Sequence, residues 1–578
     1  MFEIAAIFSD HCVLQREKNI CVFGYGEDGN AVFVELFDKN GVSLGKNSGK
    51  IKNGHWEVYL LPVFAQEGCS LVVKCEDFSK TFWDISIGEV WLAGGQSNME
   101  FELRNCEEGP DELAKEKNPN VRFYYTQKIG WMDQKFFDCE RNTAWGKWGC
   151  DGCGAWSAVG YFFAKKLAKE LGVTVGVIGC NWGGTSASAW IANSCMEKDF
   201  DLKTYITDWD SEIGEKSIEQ QCKEYDDYEI ELELWNKRAE PFYAENPAIG
   251  WDELASKIGK CPWPGPKSCK NPYRPGGLYE CMIKRVLPYS LRGFIWYQGE
   301  SDDHKPRFYE KLFGTLIHKW REDWNDEKLP FLFVQLPVHR YKQDKDFKHW
   351  CLIRQAQEKV FTGIKNTGMA CALDLGDFND IHPRGKKVIA ERLALGAMNV
   401  AYNKVCETDA FAPMLKDYIC VSGENGVNGR MILSFDFVKD GFVVRKDKKR
   451  FEEYKMMEEN AGEKVPEDFT GFEIAGEDGM YYPAEFEFDK SDCSKIILSS
   501  KKVENPVMAR YAWFNYGPVT IFGKNGLPLV PFRTCKKDSD GQNDSHAEIQ
   551  QIMTVEMKFR IQNSEFRGNA MREGNAEL

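Results

Sequence analysis

The rhythm of polar and apolar positions changes twice along the chain. From Ala5 to about Ile85, short apolar segments ("ICVFGYG", "AVFVELFD", "HWEVYLL", "SLVVKC") are separated by turn residues at Asp28–Asn30, Asn40–Gly41 and Asn53–Gly54. Regularly spaced short strands with such punctuation predict a β-sandwich-like domain over residues 1–85. After Ser86 the apolar runs become continuous, at "EVWLAG" (89–94), "VTVGVIG" (173–179), "RGFIWY" (292–297), "LPFLFVQL" (329–336) and "GMACALDL" (368–375). Strands with one wet face would alternate, so these runs predict strands buried on both faces. Between them lie stretches such as "SAVGYFFAKKLAKELG", where Val159, Phe162, Phe163, Leu167 and Leu171 share a helix face and Gly172 follows as a cap. Buried strands alternating with amphipathic helices predict an α/β core over residues 86–405, a parallel sheet covered by helices on both faces.

Two further segments complete the division. A charged, helix-favouring stretch followed by "CPWPGPKSCKNPYRPGG" reads as an insertion over about 199–270, either bordering a site or forming a solvated excursion. Beyond Cys406 the strand grammar returns ("RMILSFDFV", "GFVVRK", "GFEIAG", "YYPAEFEF", "KIILSS", "VTIFGK") and predicts a C-terminal β domain over 406–534. Residues 535–578 read as a polar linker and a tail of weak helical character.

Composition narrows the partners. A chain of 578 residues exceeds one core, and 43% hydrophobic with 28% charged residues is a globular balance without a membrane span. A formal net charge of −15, with no basic run interleaved with aromatics, repels phosphate backbones and excludes nucleic acid. The start "MFEIAAIFSDHCVLQ" lacks the basic and long apolar regions of a secretion leader, which points to the cytoplasm. The twenty cysteines, including Cys75, Cys180, Cys371 and Cys420 in expected core segments, read as reduced and structural. Cys150 and Cys153 have CxxC spacing, but no second pair with ligand spacing follows, so no metal is expected.

The candidate chemistry lies at strand ends, where ligands gather in open parallel sheets. Ser97 follows "EVWLAGG"; it suits a nucleophile near free backbone N–H groups, although a serine there also suits a helix cap. "CNWGGTSASAW" supplies Gly183 and Gly184, "WYQGES" supplies Gln298 and Glu300, and "GDFNDIHPRGKK" supplies His382 among Asp377, Asn379 and Asp380. A hydroxyl, glycine N–H groups, an amide, and a histidine with acids are the parts of an acyl-transfer site. Of eight histidines, His11, His55, His318, His339, His349 and His546 have no such company and read as structural; His304, after "GESDD", is a candidate pocket residue.

"GGQSNM", "NWGGT", "WYQGES" and "DIHP", in this order, resemble the motif blocks of SGNH-type hydrolases, and most closely those of the sialate O-acetylesterase family. "SDHCVLQR", "RQAQ" and "YAWFNYGPVTIFGKNGLPLVPFRT" extend the resemblance to nearly all of residues 1–534. It implies a flavodoxin-like SGNH core and a cofactor-free serine esterase acting on O-acetylated sugars, sialic acids foremost. It also implies Ser97 as nucleophile and His382 as general base, with the backbone N–H of Ser97, that of Gly184 (or Gly183) and the Gln298 amide as oxyanion donors. The general SGNH pattern has Asp three residues before the histidine, where this chain has Asn379. Asp380 is therefore the expected orienting acid, with Glu300, then Asp377, as alternatives, or a dyad without an acid. Acetylated xylan or mannan is the alternative substrate, and a carbohydrate-binding protein without activity is the competing class.

Overall fold

The computed structural model describes residues 2–115, 120–246, 251–342, 346–423 and 428–535. The expected tail therefore lies outside the described residues, apart from Cys535. Near the N-terminus, β1 (Ile20–Tyr25), β2 (Ala31–Phe37), β3 (Ser43–Lys50), β4 (His55–Leu60) and β5 (Gln66–Cys75) form antiparallel ladders, β1 with β4 and β2 with both β3 and β5. The alternating burial of β2 and β4 matches their alternating sequences.

One strand joins both regimes. β6 (Phe78–Gly95) runs for 18 residues: its first part pairs antiparallel with β5, and its last part pairs in parallel with two core strands. The first seven residues are mostly exposed, whereas everything from Ile85 to Gly95 is buried. The change from mixed to continuous apolar sequence follows that change of environment. The expected boundary between residues 85 and 86 thus falls inside a strand. Where the buried half begins, Glu89 is fully buried and accepts hydrogen bonds from Arg16 Nε (2.6 Å), Arg292 Nε (2.8 Å) and Gln15 Nε2 (3.1 Å). Burial pushes its carboxyl up, but the Arg292 and Arg16 guanidinium groups pull it below its ordinary value, so the charge stays paired.

After β6 come α1 (Ser97–Glu100), β7 (Val121–Tyr125), α2 (Ala158–Leu171) and β8 (Val175–Asn181). The insertion holds α3 (Lys203–Ile213), α4 (Ile218–Glu245) and α5 (Trp251–Ile258), and β9 (Gly293–Tyr297) follows it. The strand order is β7-β8-β6-β9, with all three contacts parallel. In α2, Ser157 caps the first turn by accepting from Gly160 N, and Gly172 ends the helix in the left-handed region at φ 67°. The insertion has a small core of its own, in which Trp235, Ala239, Leu254 and Cys261 are buried and the Trp235 indole donates to the Gly259 carbonyl at 2.9 Å.

The chain divides into two compact units: Met1–Ser301 with Lys311–Phe331, and Asp302–Glu310 with the described residues from Leu332 on. Most of the second unit's first buried strand, β10 (Phe331–Gln335), lies in that unit, beside β11 (Thr367–Cys371). α6 (His349–Gly363) and α7 (Lys386–Val400) accompany them. Two four-stranded antiparallel sheets follow within 414–533. One element departs from that pattern: α8 (Lys448–Asn460) is a helix, capped by Asp447, which accepts from Arg450 N. It buries only Arg450, Tyr454 and Met457, so its polar sequence carries little apolar periodicity. Cys420, expected in a core, is exposed, because the strand Met414–Val421 turns most of its residues outward at the end of its sheet.

Burial on α6 pushes the Glu358 carboxyl up to about 7, with Lys359 only partly offsetting it. A carboxyl raised in the folded state binds its proton more tightly there, so the stability it contributes is present at low pH and lost as pH rises through about 7. Urea midpoints are expected to fall between pH 5 and pH 8, and Glu358→Gln is expected to flatten that slope; an unchanged slope in the variant would refute the assignment.

Candidate active site

The Ser97 loop is shaped by the two glycines before it. Gly95 has φ +132°, a region that L side chains rarely adopt, and a Cβ there would lie 2.2 Å from the Tyr297 carbonyl. β9 therefore packs directly on the end of β6. Gln96, the N-cap of α1, makes no side-chain cap bond; its Oε1 instead accepts from Ser301 N at 3.1 Å. Ser97 is the first residue of the short helix rather than its cap. Its side chain is half-buried between the buried Gln96 and Asn98, so the hydroxyl is reachable while its neighbours hold the loop. Asn98 Nδ2 donates to Glu300 Oε1 at 2.6 Å, which ties the Ser97 loop to the loop after β9.

The loop after β8 is pinned at nearly every residue. Asn181 Nδ2 donates to the Ala93 carbonyl (3.1 Å), Trp182 N to the Gly95 carbonyl (3.0 Å) and Gly183 N to Glu100 Oε2 (2.6 Å). Thr185 Oγ1 donates to the Trp182 carbonyl (2.7 Å) and accepts from the Trp190 indole (2.9 Å). Gln298 Nε2 donates to the Thr185 carbonyl at 3.1 Å, which ties its amide to the same loop. Gly184, buried with φ +72°, is the exception: its N–H makes no hydrogen bond to any described residue. A buried, unmatched N–H is rare in folded proteins and is what an anion site supplies. Of the two glycines considered, Gly183 has committed its N–H to Glu100.

Ionisation around this strand end leaves few other nucleophiles. Burial pushes the Cys180 thiol up to about 12, only partly offset by Thr126, so it stays protonated. Burial and the nearby Glu300 raise the Tyr297 phenol well above its ordinary value. Among the described residues, no group of three or more His, Cys, Asp or Glu side chains is placed to hold a metal ion, and no helix is long and apolar enough to cross a membrane.

The loop carrying His382 lies in the second unit. Asp380 Oδ1 accepts from His382 N at 2.9 Å, so the carboxylate folds back onto the turn that presents the imidazole. Asn379 adopts the left-handed region at φ 59°, which asparagine tolerates better than most residues. Its Oδ1 accepts from Lys342 N at 3.1 Å, and its N–H donates to the Arg340 carbonyl at 3.1 Å. The residue standing where the general pattern has Asp is thus engaged in holding the loop. Asp377 and Asp380 share a backbone bridge across the same turn.

No sequence pattern marks the supports behind this loop. Arg450 on α8 donates through Nη2 to the carbonyls of Asp374 and Gly376, both at 2.9 Å. His339, expected to be merely structural, donates through Nδ1 to the Asp380 carbonyl at 3.1 Å and has its own N–H on the Asn515 carbonyl at 2.8 Å. Asn515 also donates to His349 Nδ1 (3.2 Å), which directs the protonated Nε2 of His349 toward Asp303 at 3.4 Å. His349 is thereby buried between Asn515 and Asp303.

Residues 263–397 match the family model described as carbohydrate esterase, sialic acid-specific acetylesterase. Sialate O-acetylesterase of Mus musculus is 27% identical over 486 residues, covering 78% of this chain and 82% of the relative. The Homo sapiens enzyme of that name is 26% identical over 485 residues, covering 78% and 79%. A carbohydrate acetylesterase from Xanthomonas citri superposes with a TM-score of 0.67 at 25% identity, covering 93% of this chain and all of the other. By these similarities the chain is a carboxylic ester hydrolase. Within that class, the resemblance to the sialate O-acetylesterase family carried by "GGQSNM", "NWGGT", "WYQGES" and "DIHP" is borne out.

Proposed function

We propose that the chain is a serine esterase that removes O-acetyl groups from sugars, sialic acids foremost, through an acetyl-enzyme on Ser97. The observation that carries the site assignment is the unmatched, buried Gly184 N–H at the same sheet edge as the half-buried Ser97. Ser97 Oγ attacks the acetyl carbonyl carbon and passes its proton to His382. The oxyanion is received by the N–H groups of Ser97 and Gly184 and by the Gln298 amide. Collapse of the intermediate breaks the ester bond, and His382 returns the proton to the departing sugar hydroxyl. Water, deprotonated by His382, then releases acetate and restores Ser97. Asp380 orients the imidazole.

The strand order supports reading the catalytic region as an SGNH-type, flavodoxin-like core. β6, first in the chain among β6, β8 and β9, lies between the other two, which places the loops after all three at a topological switch point. The β-rich segments before and after it are read as flanking domains. An acetate-release panel tests the substrate: O-acetylated sialic acids are expected to be turned over with kcat/KM at least about tenfold above acetylated xylo- and manno-oligosaccharides, a margin of about 1.4 kcal/mol. The reverse preference would make the protein a plant-glycan acetylesterase, and no acetate from any of them would overturn the reading.

A further inference from the structure

We propose that Glu100 and Lys128 act together as positioning residues for the oxyanion loop, which rests on Gly184 being an oxyanion donor. Glu100 ends α1, three residues after Ser97. Its Oε2 accepts from Gly183 N at 2.6 Å while its Oε1 pairs with Lys128 Nζ at 2.7 Å. The pair is largely covered, with side-chain exposures of 13% and 19%, and Lys128 also lies over the Tyr125 ring at 5.5 Å.

Two consecutive glycines give the backbone wide freedom, and the direction of the Gly184 N–H follows the rotation of the peptide that Gly183 begins. Trp182 and Thr185 are tied on either side of the pair, but among the described residues the Glu100 carboxylate is the only tie on the pair itself. Through α1 the same carboxylate couples that N–H to the strand end bearing Ser97. A lone carboxylate one residue from the donor would repel the oxyanion as it forms. Lys128 removes that repulsion by neutralising it, so the clamp works as a pair.

The experiment is a double-mutant cycle on the full chain with p-nitrophenyl acetate, read as kcat, KM and the unfolding midpoint. Removing a whole oxyanion donor costs about 10²–10³-fold in kcat, so a misdirected one is expected to cost about 10–100-fold in Glu100→Gln, with KM within about twofold. Lys128→Met, which strands the carboxylate, is expected to lose at least as much, and the double variant is expected to lose less than the product of the two single losses. Single variants within about twofold of the parent in kcat, or a double loss equal to the product, would overturn the proposal. A purely structural role would instead show as a lowered midpoint with kcat preserved. If Glu100→Gln does not fold, Lys128→Met carries the test. Activity surviving in Ser97→Ala would overturn the underlying site reading, whereas an inactive Ser97→Ala beside an unaffected Glu100→Gln overturns the clamp alone.

Discussion

Ser97→Ala is expected to lower kcat for p-nitrophenyl acetate by a factor on the order of 10⁵ or more, as loss of an acyl-accepting hydroxyl does in serine hydrolases. The unfolding midpoint is expected to stay unchanged. The N-cap position belongs to Gln96 and no side-chain cap bond is present, so removing the half-buried hydroxyl takes no cap from α1. The loop is held by other groups: Gln96 on Ser301, Asn98 on Glu300, and Gly95 against β9. Loss of activity without loss of stability therefore separates a chemical role from a structural one. Undiminished turnover in a folded Ser97→Ala would remove the serine from the mechanism.

Asp380→Asn is expected to cost about 10³–10⁴-fold in kcat, the scale seen when the carboxylate that orients a catalytic imidazole is neutralised. Glu300→Gln is expected to cost less than about tenfold, because an amide oxygen can still accept the Asn98 hydrogen bond of 2.6 Å that joins the two loops. The asymmetry follows from placement. Asp380 is bonded to the backbone of the residue it would serve, and its own carbonyl is held by His339. Asn379 already spends its side chain on Lys342. A larger loss at Glu300 would transfer the orienting role there, and small losses at both would indicate that Ser97 and His382 work as a dyad.

Much of this site is legible in the sequence because continuous apolar runs mark buried strands, and the residue just past such a run stands at the sheet edge. Ser97, Gly184 and Gln298 become candidates that way. The groups that hold them are not. Glu100 and Gly183 are 83 residues apart, and neither has a pattern that announces the other. Asn379 looks like a missing acid until its left-handed backbone and its bond to Lys342 explain it. Arg450 lies on a helix with a largely polar sequence, in a stretch that otherwise reads as strands, so its hold on the Asp374 and Gly376 carbonyls leaves no periodic trace.

β6 bears on how this enzyme could be recombined with others. A single hydrogen-bonded strand carries the chain from the antiparallel N-terminal region to the serine, and Arg16, well before that strand, neutralises Glu89 within it. A splice between residues 85 and 86 would cut through the ladder and leave Glu89 without one of its two guanidinium partners. The N-terminal strands and the Ser97 loop thus form one cassette, and a chimera that exchanges one without the other has its seam in the wrong place.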